Sequence, residues 1–546
     1  MTPLINLKEL GKSGKASLIG LVAIGLLGGW IAWYAMHWGP WAYSDSVGYV
    51  EVAHNLLAGN GPIQIKGSGG IMLLTTRPPF YSMVLALFSL PGQSLIISAR
   101  ILNVVLFTIF IFGVGFMLYI IMRRAILSII VSLFMLSAPV MVYNFTGVMS
   151  EPLFFCLGFF GLFLALVYVK KKQKVFLWMS AVLTGLAFVS RFTGVTMIAA
   201  GSATILLFSD KSIKNRLWEA LSYIILGLIP FVIWTIYLRS MGGYPGQYTI
   251  PAYPEMVILL RSSFRALTET VVGWTPWGSQ LGAGFPRHHA MFLLALGVGG
   301  LLILLLTLFK QGKISFRSAW GKPNFQIGLV FGVFNLVYCI FLLLTYLFVE
   351  HPKPVLDVRM LSPLLVGGML SIVGFLDFIL EDQLPFTLRQ LIPAGVILLF
   401  IVSNINPTKN FIQIMHLDGD GYTSKAWQES GVIKAVKGLP ANAHIISDNI
   451  DVIMLYTFRS ASRIPELESK TPQPLGQPFG DDLNDSVQTL FRNGKAVLVL
   501  FNQAYWQFDA IYGGQATQTR FKAFTNGLSP YYIGGDGSIY YYAVLK

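Results

Sequence analysis

This sequence predicts a polytopic α-helical membrane protein with a small soluble α/β domain at its C-terminal end. Two observations carry that prediction. Of 546 residues, 54% are hydrophobic and only 12% are charged, with a mean hydropathy of +0.64, so the chain is far more apolar than soluble globular proteins. The apolar residues are also gathered into runs near the ~20 residues that cross a bilayer as helix, with short Lys/Arg clusters between them.

The runs fall at 18–36, 95–122, 125–143, 152–169, 175–190, 193–208, 218–238, 290–309, 326–349, 361–380 and 390–404, which predicts about eleven spans. With the N-terminus inside, Arg123-Arg124, Lys170-Lys171-Lys172 with Lys174, Lys211 with Lys214 and Arg216, Lys310 with Lys313, Arg317 and Lys322, and Arg389 all land on the cytoplasmic side, as the positive-inside rule requires. The stretch 175–208 is divided at Arg191 because a single helix of that length would measure ~51 Å against a ~30 Å hydrocarbon core. An odd number of spans puts the tail outside. The net charge of +14 is accounted for by these clusters, so it gives no support to a nucleic-acid partner. Cys156 and Cys339 sit inside apolar runs without metal-ligand or disulfide spacing and read as packing residues. Lys8, Lys12 and Lys15 precede a first run that ends in Trp and Tyr rather than small residues, which reads as a retained helix and not a cleaved leader.

Three stretches then share the outer side: the loop 37–94, the loop 242–289 and the tail 405–546, the last predicted to be a separate domain beside the membrane domain 1–404. In the first loop Tyr49, Val52, Ala53, Leu56 and Leu57 form an apolar face and Glu51, His54 and Asn55 a polar one, the pattern of a helix lying in the membrane interface. A second helix should follow Pro78-Pro79. In the tail an amphipathic stretch is expected at Ser424–Lys437, strands at His444–Ser447, Ala496–Phe501 and Ser538–Leu545, and a turn at Gly534-Gly535-Asp536-Gly537.

Chemistry is sought on this outer side. Asp45, in Tyr43-Ser44-Asp45-Ser46-Val47-Gly48-Tyr49, is an interfacial carboxylate that needs a partner or a task; its bland reading, shared with Ser44, is the cap of a helix starting at Val47. Glu151, between Ser150 and Pro152, has helix-start chemistry and an equal claim as a site residue. Arg191, between two apolar runs, requires an anion, a carbonyl cluster or a watery cavity. Arg359 has Asp357 as a ready partner, and Arg77 precedes the double proline. His288-His289 shows no ligand spacing to Glu51 or His54, so no obligatory metal is expected.

Several of these segments resemble the GT-C superfamily of membrane glycosyltransferases, in the branch of protein O-mannosyltransferases and the lipid A aminoarabinose transferase. The resemblance rests on Ser44-Asp45-Ser46-Val47-Gly48-Tyr49 through Ala53-His54-Asn55-Leu56, Thr76-Arg77-Pro78-Pro79-Phe80-Tyr81, Met149-Ser150-Glu151-Pro152-Leu153-Phe154, Gly185–Gly194 and Asp357–Leu364. Where many members have two adjacent acidic residues this chain has Asp45-Ser46, and many have Lys at the position of Arg77. The resemblance implies a GT-C-like integral protein of the plasma or inner membrane that moves a sugar from a polyprenyl-phosphate donor, outside the cytoplasm, to a lipid, glycan or protein hydroxyl. It implies Asp45 as base in an inverting displacement, with Arg191, Arg359 and Arg77 around the donor phosphate and Glu151, Glu51 and His54 as secondary candidates. Its partners are membrane lipid and the lipid-linked sugar, with no obligatory cofactor. The rival readings are a flippase or transporter of lipid-linked sugars, which should show charges near midplane on repeat-related broken helices, and a non-catalytic scaffold with a binding tail.

Overall fold

The computed structural model describes residues 12–65, 70–75, 77–243, 319–351, 356–381, 385–464, 493–525 and 528–542, with isolated positions between them (247–248, 256–259, 261–262, 265 and 467). The expected span 290–309 and most of the loop 242–289 lie outside the described residues. From the N-terminus the elements are α1 (Lys12–Ala35), α2 (Ser44–Leu57), β1 (Ile63–Ile65), β2 (Ile71–Leu73), α3 (Phe80–Ser89), α4 (Leu95–Met122), α5 (Ala125–Ser137), α6 (Pro139–Phe145), α7 (Glu151–Lys171), α8 (Lys174–Ser190), α9 (Val195–Phe208) and α10 (Ile213–Ser240). Long helices Pro323–Phe348, Val358–Glu381 and Phe386–Leu417 follow, with a short antiparallel pairing of β3 (Gln247–Tyr248) and β4 (Val349–His351). The tail supplies β5 (His444–Ser447), β6 (Ala461–Arg463), β7 (Ala496–Phe501), β8 (Leu528–Gly534) and β9 (Gly537–Tyr542).

Among the described residues seven helices are long and apolar enough to cross a membrane, and the bent pair α5–α6 makes an eighth if counted as one span. The protein is integral to a membrane. The count of eleven is not reached because α8 and α9 are individually short, and because the run 290–309 is not described. The bend of 68° between α5 and α6 falls at Pro139, which supplies no N–H to continue the ladder. The division at Arg191 is as expected: α8 ends at Ser190, Arg191 is extended (φ −149, ψ 139), and α9 begins at Val195 after one 3-10 turn.

By contact density the chain divides into two compact units. One gathers Met1–Ala35, Thr75–Tyr81 and Arg100–Ile414; the other gathers Met36–Leu74, Ser82–Ala99 and Met415–Lys546. In the first unit the helices pack through a run of phenylalanines, with Phe110 5.3 Å from Phe145, Phe155 5.8 Å from Phe159 and Phe159 5.4 Å from Phe334, centroid to centroid. Small residues allow helices α8 and α10 to touch: a Cβ on Gly185 would stand 2.4 Å from the Gly227 carbonyl oxygen, the close backbone approach that membrane helices use in place of a hydrophobic driving force. One end of the helix Val358–Glu381 carries Asp377, which accepts from Arg124 Nε and Asn324 Nδ2, each at 3.1 Å. The other end carries Arg359. From Arg359 to Asp377 the helix rises ~27 Å at ~1.5 Å per residue, close to the ~30 Å hydrocarbon thickness.

In the second unit the tail forms a five-stranded sheet in the order β6-β5-β7-β9-β8. β5 pairs in parallel with β6 and β7, while β7–β9 and β8–β9 are antiparallel. Alternation along the buried strands feeds two cores, one with Ile445, Val497, Val499 and Val452, the other with Ile446, Leu498, Leu500 and Phe508. The amphipathic stretch Ser424–Lys437 is two short helices, Lys425–Gln428 and Gly431–Lys437, because Ser430 starts the second by accepting the Ile433 N–H at 3.1 Å.

Candidate functional site

The candidate residues form two groups, one in each unit. In the first unit Arg191, released from helical geometry at the α8–α9 break, directs its guanidinium at the start of α7. Its Nη1 lies 2.7 Å from Glu151 Oε1 and donates to Ser150 Oγ at 3.3 Å, while Nη2 meets Met360 Sδ at 3.1 Å. The contact with Glu151 is an ion pair whose N–H is poorly aligned on the carboxylate, so neither Glu151 oxygen counts a hydrogen bond. Both partners are largely dry, the Glu151 side chain 2% exposed and that of Arg191 16%. Arg359 Nε reaches Asp357 Oδ2 at 2.8 Å, and Arg359 feels the charges of both Glu151 and Arg191. Tyr338 braces the same place by donating to the Met360 carbonyl at 2.7 Å.

The structure thus brings Glu151, Arg191 and Arg359 together. It gives Arg191 the anion it needs, and that anion is Glu151; Glu151 also opens α7 behind the cap residue Ser150, as its helix-start chemistry predicts, while its carboxylate turns to the arginine. Asp357 and Arg359 pair as their spacing allows. Arg77 belongs to this unit and is half-buried just before α3.

The second unit holds α2 with Asp45, Glu51 and His54. Two expectations are corrected here. The helix starts at Ser44 rather than Val47, with Tyr43 as its cap residue, and Ser46 Oγ accepts the Tyr43 N–H at 3.1 Å. Asp45 therefore stands in the first turn, not at the cap, where a carboxylate gains from the helix dipole. Nor does α2 show an open polar face: Glu51 and Asn55 are 6% and 2% exposed. The β1–β2 hairpin covers that face and satisfies it, because Glu51 accepts from Ile65 N at 2.6 Å and Gln64 Nε2 at 2.8 Å, and Asn55 donates to the Ile63 carbonyl at 2.9 Å. Burial raises the Glu51 pKa against those two bonds. Glu51 is a hairpin anchor in this arrangement. His54 stacks on Phe458 at 4.1 Å, and burial lowers its pKa.

The tail brings residues that sequence reading passed over. Ser44 Oγ donates to Asp451 Oδ2, and Tyr43 Oη donates to Asp420 Oδ1 at 2.7 Å. An open cleft of ≈ 600 Å³ beside Tyr43 is lined by Asp418, Asp420, Lys425, Trp427 and Glu429. Asp448, buried at the end of β5, accepts the Phe501 N–H at 2.9 Å, and burial pushes its pKa up to about 7. No local signal in the sequence marks these acidic residues. Among the described residues no three His, Cys, Asp or Glu side chains gather as a metal-binding group.

No protein-family model matches the chain, and no curated protein does. Among solved structures it is similar over 98% of its length to ArnT from Cupriavidus metallidurans bound to undecaprenyl phosphate, covering 99% of that chain at 12% identity with a TM-score of 0.56. It is similar, again over 98% of its length, to the archaeal oligosaccharyltransferase AglB from Archaeoglobus fulgidus in complex with an inhibitory peptide and a dolichol-phosphate, covering 75% of that chain at 12% identity with a TM-score of 0.53. Both are GT-C superfamily glycosyltransferases, and the chain has their fold.

Proposed function

We propose, from this GT-C fold and the two residue groups, that the chain is a polyprenyl-phosphate-sugar-dependent glycosyltransferase acting outside the cytoplasm. In this reading Asp45 takes the proton of an acceptor hydroxyl as the acceptor oxygen bonds to the anomeric carbon. The bond from that carbon to the phosphate oxygen breaks in the same displacement, inverting the sugar, and the polyprenyl phosphate leaves with the electron pair. Arg191 and Arg359, with Arg77, stabilise the phosphate as its charge develops. Two arginines with fixed donors suit such an oxyanion better than lysines because the guanidinium binds it bidentately.

The observation that supports the reading most is the dry Arg191 held at a helix break beside Arg359. Glu151 is in this account the counter-ion that keeps Arg191 in place when no phosphate is bound, rather than an acceptor ligand. Similarity to a protein crystallised with undecaprenyl phosphate lends weight to the donor class.

The test is turnover by the purified full chain in nanodiscs, with undecaprenyl-phosphate-linked [14C]mannose, [14C]glucose and [14C]aminoarabinose as donors and a membrane lipid and glycan extract as acceptor. Release of undecaprenyl phosphate matched by label in the acceptor is expected with one of the three. Label crossing a vesicle bilayer with the phosphate–sugar bond intact would instead identify a flippase.

A further inference from the structure

The stretch that leads into α2 is held almost entirely by residues near the other end of the sequence. Trp38 Nε1 donates to the Leu417 carbonyl at 2.9 Å, and Thr423 Oγ1 donates to the Pro40 carbonyl at 2.6 Å. Tyr422 N donates to the Ala42 carbonyl at 2.7 Å, Tyr43 Oη to Asp420, and Ser44 Oγ to Asp451. Ala42 and Gly421 form a parallel bridge, and only glycine fits there: Gly421 has φ +62, and a Cβ would stand 2.1 Å from the Ala42 oxygen. Tyr43 itself is extended (φ −131, ψ −171), so these bonds take the place of regular secondary structure for the residues just before Asp45.

We propose that Asp451, acting through Ser44, is a positioning residue for Asp45, and that the segment Asp418–Ser424 is the clasp within which it works. The inference rests on Asp45 being the base. Ser44 and Asp45 are consecutive residues of the first helical turn, so fixing the Ser44 side chain fixes where the next carboxylate starts. A misplacement of about 1 Å in a reacting group costs on the order of 100-fold in rate, and a hydroxyl–carboxylate bond is of the charge-assisted kind that holds a short distance. Tethering through a side chain on the helix Ile450–Thr457 makes the tail part of the catalytic apparatus. Glu51 serves α2 from the other end by tying it to the hairpin, which leaves the first turn to Asp451.

The full chain in nanodiscs tests this, with whichever of the three labelled donors it turns over. Asp451→Ala and Ser44→Ala should each lower kcat by roughly tenfold, the double variant should fall no further, and donor KM should stay within about twofold. Asp451→Asn, whose amide oxygen still accepts from Ser44, and Ser44→Thr should recover most of the rate. Asp45→Asn is run beside them. If it is inactive while Asp451→Ala turns over at the wild-type rate, the positioning role is overturned and the base stands. If Asp45→Asn is itself active, the assignment of the base has failed. A loss in Asp451→Ala that appears equally in kcat, donor KM and melting temperature, and that Asp451→Asn does not recover, would reduce Asp451 to a folding contact.

Discussion

Charge at the α8–α9 break makes one prediction that separates a phosphate ligand from a structural ion pair. Glu151 and Arg191 meet at 2.7 Å with little water. Unit charges ~4 Å apart attract by ~4 kcal/mol at an effective dielectric of ~20, and stripping one partner from a buried pair costs ~3 to 5 kcal/mol. Glu151→Gln and Arg191→Gln should therefore both melt earlier in detergent, and the double variant should lose less than the sum of the two. Affinity for undecaprenyl phosphate, read by native mass spectrometry, should move in opposite directions. Arg191→Gln should bind more weakly by ~1.5 to 3 kcal/mol, the worth of a charge-assisted hydrogen bond. Glu151→Gln removes the anion that competes with the phosphate and should bind about tenfold more tightly, or ~1.4 kcal/mol. Equal weakening in both variants would refute the reasoning, leaving the pair as a unit that shapes the fold and never meets the lipid.

The remaining predictions are shorter. Because Asp45 occupies the first turn and Tyr43 the cap, Asp45→Asn should cost only ~0.3 to 1 kcal/mol of helix-dipole stabilisation while turnover falls ~100- to 10,000-fold; near-normal turnover would move the base elsewhere. Burial raises the Asp448 pKa from 3.8 to about 7, so the stability this group contributes is fully present below pH 3.8 and lost as pH rises through 7. The sheet domain should accordingly melt lower at pH 8 than at pH 5, and Asp448→Asn should flatten that slope, a difference on the order of a few kcal/mol. For topology, Lys434→Cys and Lys174→Cys, both at exposed positions, in a chain lacking Cys156 and Cys339, should split toward an impermeant thiol reagent: Lys434→Cys labels in intact cells and Lys174→Cys only after lysis.

Where the sequence was read correctly, the signal was local. The strands His444–Ser447 and Ala496–Phe501 lie where their β-branched and aliphatic runs placed them, and the helix break at Arg191 follows from a length argument. β6 is three residues long and β8 carries Pro530 and a terminal glycine, so neither offers a run to recognise; both are strands because a neighbour supplies the ladder. The polar face of α2 was misjudged for a related reason. Glu51 and Asn55 look solvent-directed from periodicity, and only the hairpin that folds over them provides buried donors and an acceptor. In the candidate site Arg191 and Glu151 were each legible as residues out of place in apolar surroundings. Their pairing was not, since they stand at the far ends of two successive helices, α7 and α8, and only the packing of those helices brings them together.

The clasp around α2 also has a consequence in time. Ser44 and Asp451 are separated by 407 positions, Trp38 and Leu417 by 379. At synthesis rates of ~5 to 20 residues per second, the first loop emerges roughly 20 to 80 s before the partners that hold it are made. During that interval its main-chain groups must be served by water or by assistant proteins, and the first turn of α2 is unanchored. In the proposed reading, a ribosome-bound chain that has not yet made these partners would insert its early helices and still be inert, so turnover would wait until the sheet domain has folded.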